Sequence, residues 1–424
     1  MAEGFDDADV VVVGAGPGGA ATAYWAASAG LEVLLLDKAS FPRDKVCGDG
    51  LTPRAVAELV RMGLPLREED GWIRNRGLRV HGGGHTVELP WPELSSYPAY
   101  GLAKRRSGLD QQLVEHARAA GAKVLEHTAV TGPLVDEHTG RVIGVTAKVA
   151  GDTPLVLRAP LVVAADGVSS RLATALGRSP RPDRPMGVAV RTYFRSPRHD
   201  DPWMTSYLEL WDGAPGVGTL MPGYGWIFGL GDGTVNVGLG SVSSTNAATK
   251  VDYRDLFRTW MANAPEEWEL TPENQDGPLR GAALPMGFNR GPLYGDGVML
   301  VGDAGGMVSP FNGEGIAYAL AAGRVAAEAA AQGLARGSAA GRERAFAAYQ
   351  TRMRDDLGGY YTLGRIFVKL IEHPQVMRLC TRYGLPRPLV MRFTHKLLAD
   401  CYEPRGGDVM DRVIAGLARM VPAA

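Results

Sequence analysis

Cysteine is scarce in this chain of 424 residues. Its three cysteines, Cys47, Cys380 and Cys401, lie far apart and form no CxxC or Cys/His spacing. An odd and sparse set of cysteines argues against a disulfide framework and against a zinc site of the common spacings. Such cysteine usage is typical of a reducing compartment, so we expect a cytoplasmic location.

An excess of charge of either sign is also absent. The chain has 45 Lys and Arg against 46 Asp and Glu, which gives a formal net charge of −1. This balance provides no global attraction to nucleic acid, so we expect no nucleic-acid partner. The first ten residues are acidic and lack the basic and apolar regions of a secretory signal peptide, so we expect no such signal.

One uncharged run, residues 10–31, is long enough to span a bilayer. It divides, however, into a valine-rich part, a glycine-rich part and an alanine-rich part. This division predicts a strand, a turn and a helix rather than a membrane span.

Glycine and proline are abundant, with 56 and 28 residues, and they cluster between apolar runs. Buried-strand patterns at 9–13 and 31–36 enclose a helical pattern and predict a βαβ unit. Similar patterns recur near 105–170 and 298–335, with strand-rich segments between them. We therefore predict an α/β fold with a discontinuous Rossmann-like domain, an inserted substrate domain built mainly of antiparallel β-sheet, and a helical C-terminal region. The predicted boundaries are 1–75, 101–180 and 285–345 for the Rossmann-like domain, 76–100 and 181–284 for the substrate domain, and 346–424 for the helical region.

The motif Gly14-x-Gly16-x-x-Gly19 follows the first predicted strand. Gly14 allows a tight turn, Gly16 lets the backbone approach a pyrophosphate, and Gly19 lets the helix pack against the strand. Asp37 ends the second strand, where it can accept hydrogen bonds from a ribose diol. This order of elements predicts a dinucleotide cofactor, and an ordinary glycine turn is the alternative.

Two further segments place a glycine-rich turn after a strand: residues 162–171 (VVAADGVSSR) and residues 301–315 (VGDAGGMVSPFNGEG). The three motifs in this order resemble the FAD-binding framework of the flavoprotein hydroxylase and geranylgeranyl reductase superfamily, and the resemblance extends from about residue 8 to residue 345. It implies that the Rossmann-like domain binds FAD, and that Arg106, or its neighbour Arg105, approaches the pyrophosphate. The residues that we expect at the cofactor are Gly14, Gly16, Pro17, Gly18, Gly19, Asp37, Lys38, Lys45, Cys47, Gly48, Arg106, Val130, Asp166, Gly167, Gly302, Asp303, Gly313, Gly315 and Ile316.

Residues 42–50 (PRDKVCGDG) resemble a loop of the geranylgeranyl reductases that folds over the flavin. Residues 222–229 (PGYGWIFG) resemble the PxxYxWxFP pattern that lines an isoprenoid cavity in that family, although Gly229 replaces its usual proline. Together with residues 200–203 (DDPW), these segments are most similar to actinobacterial menaquinone reductases. The resemblance implies a prenyl-lipid substrate and the saturation of one isoprene unit of a menaquinone side chain.

Three aromatic residues, Tyr224, Trp226 and Phe228, alternate along one predicted strand and therefore share one face. An aromatic face suits a polyprenyl chain, because binding gains from apolar burial and needs few hydrogen bonds. A sheet packed on its own core is the alternative interpretation. With Trp203, these three residues are our candidates for substrate binding.

Saturation of an alkene requires a hydride on one carbon and a proton on the other, and reduced flavin can supply the hydride. Cys47, in the loop expected over the flavin, is a candidate proton donor, and a buried structural thiol is the alternative. Asp49 and Tyr224 are the other candidate catalytic residues. Lys45 is expected to pair with an FAD phosphate or a lipid headgroup, or to be solvated.

A second convincing dinucleotide motif is absent from the sequence, so the electron donor is left open between NADPH and another reduced carrier. Alternative functions are a geranylgeranyl lipid or diphosphate reductase and a flavin-dependent monooxygenase or halogenase. The halogenase WxWxIP pattern is missing, since Tyr224 stands two residues before Trp226. A flavoprotein without catalytic activity is a third alternative, which the intact flavin motifs disfavour.

The segment 358–398 is rich in basic and apolar residues, with seven Lys and Arg and the single acid Glu372. It predicts basic amphipathic helices. Such helices either contact an anionic membrane surface peripherally or cap the flavin domain with a solvated basic face. We expect the peripheral contact, because the expected substrate dissolves in the membrane.

Overall fold

The computed structural model describes residues 7–149, 152–214, 216–244 and 251–424. The α-helices of these residues are α1 (Pro17–Ser28), α2 (Pro53–Arg61), α3 (Arg106–Ala119), α4 (Arg171–Ala175), α5 (Tyr253–Met261), α6 (Ile316–Leu334), α7 (Ala339–Ile371), α8 (Pro374–Leu379), α9 (Pro388–Leu398) and α10 (Val409–Met420). The strands are β1 (Val10–Val13), β2 (Val33–Leu36), β3 (Gly50–Leu51), β4 (Ile73–Asn75), β5 (Gly77–Gly82), β6 (His85–Pro90), β7 (Gly101–Ala103), β8 (Lys123–Leu125), β9 (Ala129–Val135), β10 (Val142–Val149), β11 (Thr153–Arg158), β12 (Leu161–Ala164), β13 (Met186–Arg195), β14 (Trp203–Tyr207), β15 (Leu210–Asp212), β16 (Thr219–Met221), β17 (Gly223–Gly229), β18 (Thr234–Ser243), β19 (Gln275–Pro285), β20 (Tyr294–Gly295) and β21 (Val298–Leu300).

A six-stranded sheet in the order β20-β21-β12-β1-β2-β8 forms the Rossmann-like core. Its strands are parallel except β20, which pairs antiparallel with β21. All four residues of β1 and of β2 are buried, as expected for strands covered on both faces. The uncharged run 10–31 therefore forms β1, a turn and α1, as predicted. Within the described ranges, every helix is either too short or too polar to cross a membrane.

Helices α1 and α6 pack side by side on this sheet because glycines let their backbones approach. A Cβ atom on Gly323 of α6 would lie 2.6 Å from the carbonyl oxygen of Gly18 in α1. Both helices begin beyond the carboxyl ends of parallel strands, α1 after β1 and α6 after β21 and its turn. In open α/β sheets this edge is where ligands bind.

A seven-stranded sheet in the order β19-β13-β18-β17-β14-β5-β6 stands beside the parallel core. Its pairs are antiparallel except β14 with β5. One face is covered by α5, with Ile227 and Trp260 in the shared apolar cluster. The opposite face carries Trp226 and Phe228. The predicted fold class is thus confirmed, while the domain boundaries stay a prediction.

The C-terminal helices pack against both parts of the molecule, and the predicted helical region is confirmed. Tyr349 and Tyr361 of α7 donate hydrogen bonds to the carbonyl oxygens of Leu300 (2.7 Å) and Met307 (2.9 Å). Between α8 and α9 the chain makes a π-helical turn, Cys380–Gly384. Leu385 and Met391 then pack against the β5–β6 hairpin.

Candidate functional site

The glycine-rich turn after β1 contains two glycines that the protein itself requires. Gly14 has φ +95°, and a Cβ atom there would lie 2.4 Å from the carbonyl oxygen of Ala165. A Cβ atom on Gly19 would lie 1.8 Å from the carbonyl oxygen of Gly14. Neither position can accept a side chain without a shift of the backbone, because both contacts are far inside van der Waals distance.

Gly16 differs from these two glycines. Its φ of −76° suits any residue. Among the described atoms, only Arg43 Nη2, at 3.8 Å, lies within 4 Å of an ideal Cβ on Gly16. The space in front of Gly16 is therefore free of protein and lies at the N-terminus of α1. This open space fits a phosphate group that the backbone approaches closely.

The N-termini of α1 and α6 provide the electrostatic complement to that space. Within the described residues, neither Gly16 nor Gly315 supplies a side-chain cap, so the first N–H groups of both helices are available to a ligand. Aligned peptide dipoles make both helix starts favourable for anions. The Asp303 side chain lies close by, since a Cβ on Gly315 would be 3.5 Å from Asp303 Oδ1. Burial raises the pKa of Asp303, although Lys45 and Arg106 lower it.

Asp37 holds the glycine-rich turn in place. Its Oδ2 accepts a hydrogen bond from the Ala15 N–H at 2.9 Å, and its Oδ1 accepts one from the Ala39 N–H at 2.9 Å. The Thr128 N–H donates to the Asp37 carbonyl at 2.8 Å, which brings the start of β9 and Val130 to this corner. Lys38 is exposed.

An ion network links this corner to the start of α3. Arg106 makes a two-point contact with Asp110, with Nε–Oδ1 2.7 Å and Nη2–Oδ2 2.8 Å. Arg43 reaches the same carboxylate at 3.0 Å. Arg105 points the other way and pairs with Asp232 at 2.9 Å. Of the two adjacent arginines, Arg106 is therefore the one that shares an ion network with Arg43.

Asp166 acts locally, at the turn after β12. Its Oδ1 accepts a hydrogen bond from the Ser170 hydroxyl at 2.6 Å, and burial raises its pKa. Gly167 follows with φ +80°. A Cβ atom on Gly14 would lie 2.8 Å from the Asp166 Cα, so this turn packs directly under the glycine-rich turn.

Asp49 anchors the PRDKVCGDG loop. It is buried at φ +64°, and its carboxylate accepts hydrogen bonds from the Tyr193 hydroxyl (2.8 Å), the Asn236 amide (2.8 Å) and the Arg106 N–H (3.1 Å). Burial raises the pKa of Asp49 to about 6, against the lowering effect of Asn236 and Tyr193. Sequence reasoning did not identify Tyr193 and Asn236, because their contact with the loop arises only in the folded sheet.

Cys47 is held in the same loop as a neutral thiol. Its Sγ accepts a hydrogen bond from the Asp49 N–H at 3.3 Å, and its carbonyl accepts one from the Asn236 amide at 2.8 Å. Burial raises the pKa of the Cys47 thiol, although Arg106 lowers it. A thiol whose pKa is raised above its ordinary value keeps its proton at neutral pH.

The three aromatic rings of β17 lie on one face, as their alternation predicts. The ring centroids of Tyr224 and Trp226 are 5.9 Å apart, and those of Trp226 and Phe228 are 6.3 Å apart. The cofactor-side loop lies against them: a Cβ on Gly48 would be 3.4 Å from Trp226 Nε1, and one on Gly50 would be 3.2 Å from Phe228 Cδ2. The same face also carries protein contacts that cover it, from Met204, Trp91, Ala399 and Cys401.

Trp203 does not join this aromatic face. In the register of β14 with β17, Ser206 pairs with Trp226 and Thr205 with Ile227. Alternation then turns Trp203 to the opposite face of the sheet, where Arg79 lies 5.9 Å from its ring. Trp203 therefore does not share a face with Tyr224, Trp226 and Phe228, and its predicted substrate contact stays a prediction. Sequence reasoning missed this because the register between two strands is not visible in either strand alone.

Glu314, which the sequence analysis did not single out, lies in the segment before α6. Its Oε1 accepts a hydrogen bond from the Thr52 hydroxyl at 2.8 Å, and its Oε2 is buried without a partner among the described residues. Burial raises the pKa of Glu314 to about 7, although Thr52 and Arg54 lower it. Tyr224 connects the aromatic face to this segment, since its hydroxyl donates to the Asn312 carbonyl at 2.7 Å.

Comparisons with known proteins agree with this architecture. A family model described as an FAD binding domain matches residues 7–259. Menaquinone reductase of Mycobacterium tuberculosis is 44% identical over 305 residues, which cover 72% of this chain and 72% of that protein. Digeranylgeranylglycerophospholipid reductase 1 of Methanopyrus kandleri is 32% identical over 314 residues, which cover 71% of this chain and 74% of that protein.

A solved structure supports the fold over nearly the whole chain. The geranylgeranyl bacteriochlorophyll reductase-like protein of Thermoplasma acidophilum has a TM-score of 0.78 and 21% identity, covering 98% of this chain and 100% of that one. At this identity the likeness shows the fold alone. The family match and the two relatives carry the assignment, and the open phosphate space at Gly16 fits the FAD that it requires. The chain belongs to the FAD-binding oxidoreductase family that includes the menaquinone reductases and the digeranylgeranylglycerophospholipid reductases.

Proposed function

We propose that this protein saturates one isoprene double bond in the side chain of menaquinone. The observation that carries the proposal is the contact between the aromatic face of β17 and the loop around Cys47. The rings of Trp226 and Phe228 lie against Gly48 and Gly50. An apolar wall thereby meets the loop that borders the cofactor site, which is the arrangement that a hydrocarbon substrate needs. The relative with 44% identity, a menaquinone reductase, supports the choice of substrate.

The chain's own residues have three tasks in this reaction. The first is to hold FAD, which when reduced supplies a hydride. Gly16 and the N-terminus of α1 would receive its pyrophosphate, and Asp37 its ribose. Arg43 and Arg106 would add positive charge beside the phosphates, in an orientation that Asp110 sets. The other expected cofactor contacts, including those of Lys45, Val130, Gly302 and Ile316, remain part of this proposal.

The second task is to bind the prenyl chain and exclude water. Tyr224, Trp226 and Phe228 would provide apolar surface along the chain, and burial of such surface contributes about 25 cal/mol per Å². Trp226 is held in place, because its indole N–H donates to Asn236 Oδ1 at 2.9 Å. A fixed ring costs no ordering when the substrate binds, so the binding free energy is used to position the double bond.

The third task is to keep the loop around Cys47 in register with the aromatic face. Asn236 does this with one side chain, since it contacts Trp226, Asp49 and the Cys47 carbonyl. Asp49 accepts three hydrogen bonds and serves as the anchor of the loop rather than as a free acid.

The test is an anaerobic turnover with two lipids. FAD-loaded protein is reduced with dithionite, so that the result does not depend on whether NADPH or another carrier is the natural donor. It then receives either menaquinone or a digeranylgeranyl glycerophospholipid, and the lipid is analysed by mass spectrometry. We expect menaquinone to gain two hydrogens per saturated double bond. A gain only on the digeranylgeranyl lipid would move the substrate to that class. Incorporation of oxygen or halogen, seen only in air, would replace the proposal with oxygenase or halogenase chemistry.

We further propose that the protein contacts an anionic membrane surface through the segment 378–392, here called the basic–apolar segment. Its exposed apolar residues are Leu379 (59% exposed), Tyr383 (57%), Leu389 (68%) and Val390 (48%). Arg378, Arg382, Arg387 and Arg392 are exposed between them, and the sequence contains no acid from residue 373 to residue 399. Each basic residue near an anionic bilayer contributes about 1 kcal/mol. The inner side of the same segment packs on the β5–β6 hairpin through Leu385 and Met391. This packing holds the segment in place with its apolar and basic side chains facing outward.

A further inference from the structure

We propose that the Glu314 carboxyl group donates the proton that completes saturation of the prenyl double bond, with Thr52 as its positioning residue. This inference rests on the proposed reductase function and assigns the proton donor within it. It starts from the different surroundings of the two carboxylate oxygens of Glu314, a partly buried side chain. Glu314 Oε1 accepts the Thr52 hydroxyl at 2.8 Å, whereas Oε2 is buried and has no partner in the described part of the chain.

The location of Glu314 connects it to the aromatic face. Two residues earlier, the Asn312 carbonyl accepts the Tyr224 hydroxyl at 2.7 Å. The charge of Glu314 acts on Tyr224 and on Cys401, and Cys401 lies in the apolar cluster of Trp226 and Phe228. Glu314 therefore borders the surface that would bind the prenyl chain. The next two residues, Gly315 and Ile316, begin α6 at the expected cofactor edge.

The Thr52 hydroxyl bonds to Glu314 instead of capping its own helix. It stands at the N-cap position of α2, where threonine normally caps its own helix. No such cap is formed by the Thr52 side chain within the described residues, and the hydroxyl instead donates to Glu314. The threonine thus fixes Oε1 and leaves Oε2 as the oxygen that can carry and release a proton.

The surroundings favour the neutral carboxyl group. Burial raises the pKa of Glu314 to about 7, with Thr52 and Arg54 opposing the shift. Arg54 is itself paired with Asp400 at 2.7 Å, so its positive charge is largely compensated. The titratable and charged groups that face Glu314 from the elements around it are Arg54 of α2, Tyr224 of β17, Tyr318 of α6, Tyr361 of α7, and Asp400 and Cys401 after α9. A donor whose pKa is near the working pH is efficient in both giving and regaining a proton.

The other candidate donors are less suited to the step. Asp49 is occupied as an acceptor by three hydrogen bonds. Tyr224 already donates its proton to Asn312, and burial raises its pKa to about 12. Cys47 remains the main rival, as a neutral thiol in the loop. In the proposed step the π bond breaks, one carbon gains the hydride that reduced FAD supplies, the other gains the Glu314 proton, and the carboxylate is reprotonated from solvent.

The first measurement reads the proton itself and needs no turnover. Infrared spectra of the FAD-loaded protein are recorded between pH 5 and pH 9 for wild type and Glu314→Gln. Other buried carboxyl groups such as Asp49 contribute to both spectra, so the measurement is the difference between wild type and variant. We expect this difference to show a protonated-carboxyl band that disappears as the pH rises through about 7. A difference spectrum without such a band would overturn the proposal.

The second measurement is a single turnover of dithionite-reduced protein with menaquinone. Glutamine can still accept the Thr52 hydrogen bond but cannot give a proton, so we expect Glu314→Gln to slow saturation by about 100-fold or more while lipid binding is unchanged. Glu314→Asp should retain part of the rate, and the wild-type rate should fall above pH 7. Glu403→Gln is the matched control, because Glu403 is a buried glutamate that also accepts serine hydroxyl hydrogen bonds. It should turn over at the wild-type rate.

The outcomes separate the two proposals. If wild type saturates the lipid and Glu314→Gln does so equally fast, the proton-donor assignment alone is wrong, and a slow Cys47→Ser would point to the thiol. If wild type saturates neither menaquinone nor the digeranylgeranyl lipid, the proposed function fails and the role of Glu314 fails with it.

Discussion

The Asn236 amide donates to Asp49 Oδ2 at 2.8 Å across 187 positions of the sequence. Asn236 belongs to β18 of the seven-stranded sheet, whereas Asp49 lies in the loop that borders the cofactor site. The same amide accepts the indole N–H of Trp226. One buried side chain therefore couples the loop to the aromatic face.

Replacement of Asn236 by alanine should loosen this coupling. The change leaves the Trp226 N–H without its acceptor and removes a donor from Asp49 and from the Cys47 carbonyl. Each unsatisfied buried group costs about 1–3 kcal/mol. We expect a clear fall in the free energy of unfolding, measured by urea denaturation, and loss of turnover. Asn263→Ala serves as the control, because Asn263 is exposed and bonds only within its own turn. Equal stability of the two variants would contradict the role of Asn236.

Alanine at Gly16 should weaken FAD binding, whereas alanine at Gly14 should destabilise the fold. Gly16→Ala adds a Cβ atom where the protein leaves open space, so the stability of the protein without FAD should be unchanged. FAD affinity should fall by about 10-fold, or about 1.4 kcal/mol, because the methyl group enters the phosphate position. Gly14→Ala should destabilise the protein even without FAD, since its Cβ would meet Ala165 at 2.4 Å. Flavin titration and thermal unfolding measure the two effects. Full FAD affinity in Gly16→Ala would contradict the assigned phosphate position.

Loss of Trp226 should lower kcat/KM, whereas loss of Trp203, on the opposite face of the seven-stranded sheet, should not. Trp226→Ala removes apolar surface from the proposed substrate face, and a loss of about 1.5–3 kcal/mol corresponds to about 10- to 100-fold in kcat/KM for the prenyl lipid. Trp203→Ala is the matched control on the other face. We expect it to keep the wild-type kcat/KM. If both variants lose activity equally, the aromatic face is not the substrate surface.

The free energy of unfolding should depend on pH in part through Glu314. Its pKa is raised from 4.5 to about 7 in the folded state, so the folded protein binds more protons than the unfolded chain between these values. The free energy of unfolding should therefore fall as the pH rises through this window, by about 3 kcal/mol from this group. Glu314→Gln should remove that part of the pH dependence. Identical pH profiles of unfolding for wild type and variant would contradict the raised pKa.

Membrane contact should depend on the basic–apolar segment. In sedimentation with vesicles of phosphatidylcholine and phosphatidylglycerol, we expect the double variant Leu389→Asp and Val390→Asp to lose most of its bound fraction. Acidic residues there remove apolar contact and repel the anionic surface. Val156→Asp is the control, because Val156 is 43% exposed on β11, in the separate three-stranded sheet with β9 and β10. Binding should weaken as salt is raised, because the arginine contribution is screened. Equal sedimentation of both variants would place the contact elsewhere.

Much of the fold and part of the candidate site could be predicted from local patterns in the sequence. The strand, glycine turn and helix around Gly14 are contiguous, and the alternation of Tyr224, Trp226 and Phe228 lies within one strand, so both could be predicted from nearby residues. The adjacent arginines could not be separated, because the rotation at the start of α3 decides that Arg106 meets Asp110 while Arg105 meets Asp232.

Long-range register explains what sequence reasoning missed. Trp203 was a substrate-binding candidate together with the three rings of β17, but the pairing of β14 with β17 places it on the opposite face of the sheet from them. Asn236 lies in a segment, residues 236–240, that continues the family resemblance, but it was given no site role, since its partners lie on another strand and in a loop far away in sequence. Glu314 stood inside a recognised glycine-rich segment, yet its importance depends on burial and on Thr52, 262 positions earlier.

The central claim is tested most directly by the mass of menaquinone after one anaerobic turnover. Reduced flavoprotein could instead reduce the quinone ring, so the extracted lipid is exposed to air before analysis, which returns the ring to the quinone. The account predicts a gain of two hydrogens that survives air oxidation and is located in the isoprenoid chain by fragmentation. A gain that disappears in air, or no gain at all with fully FAD-loaded protein, would contradict it.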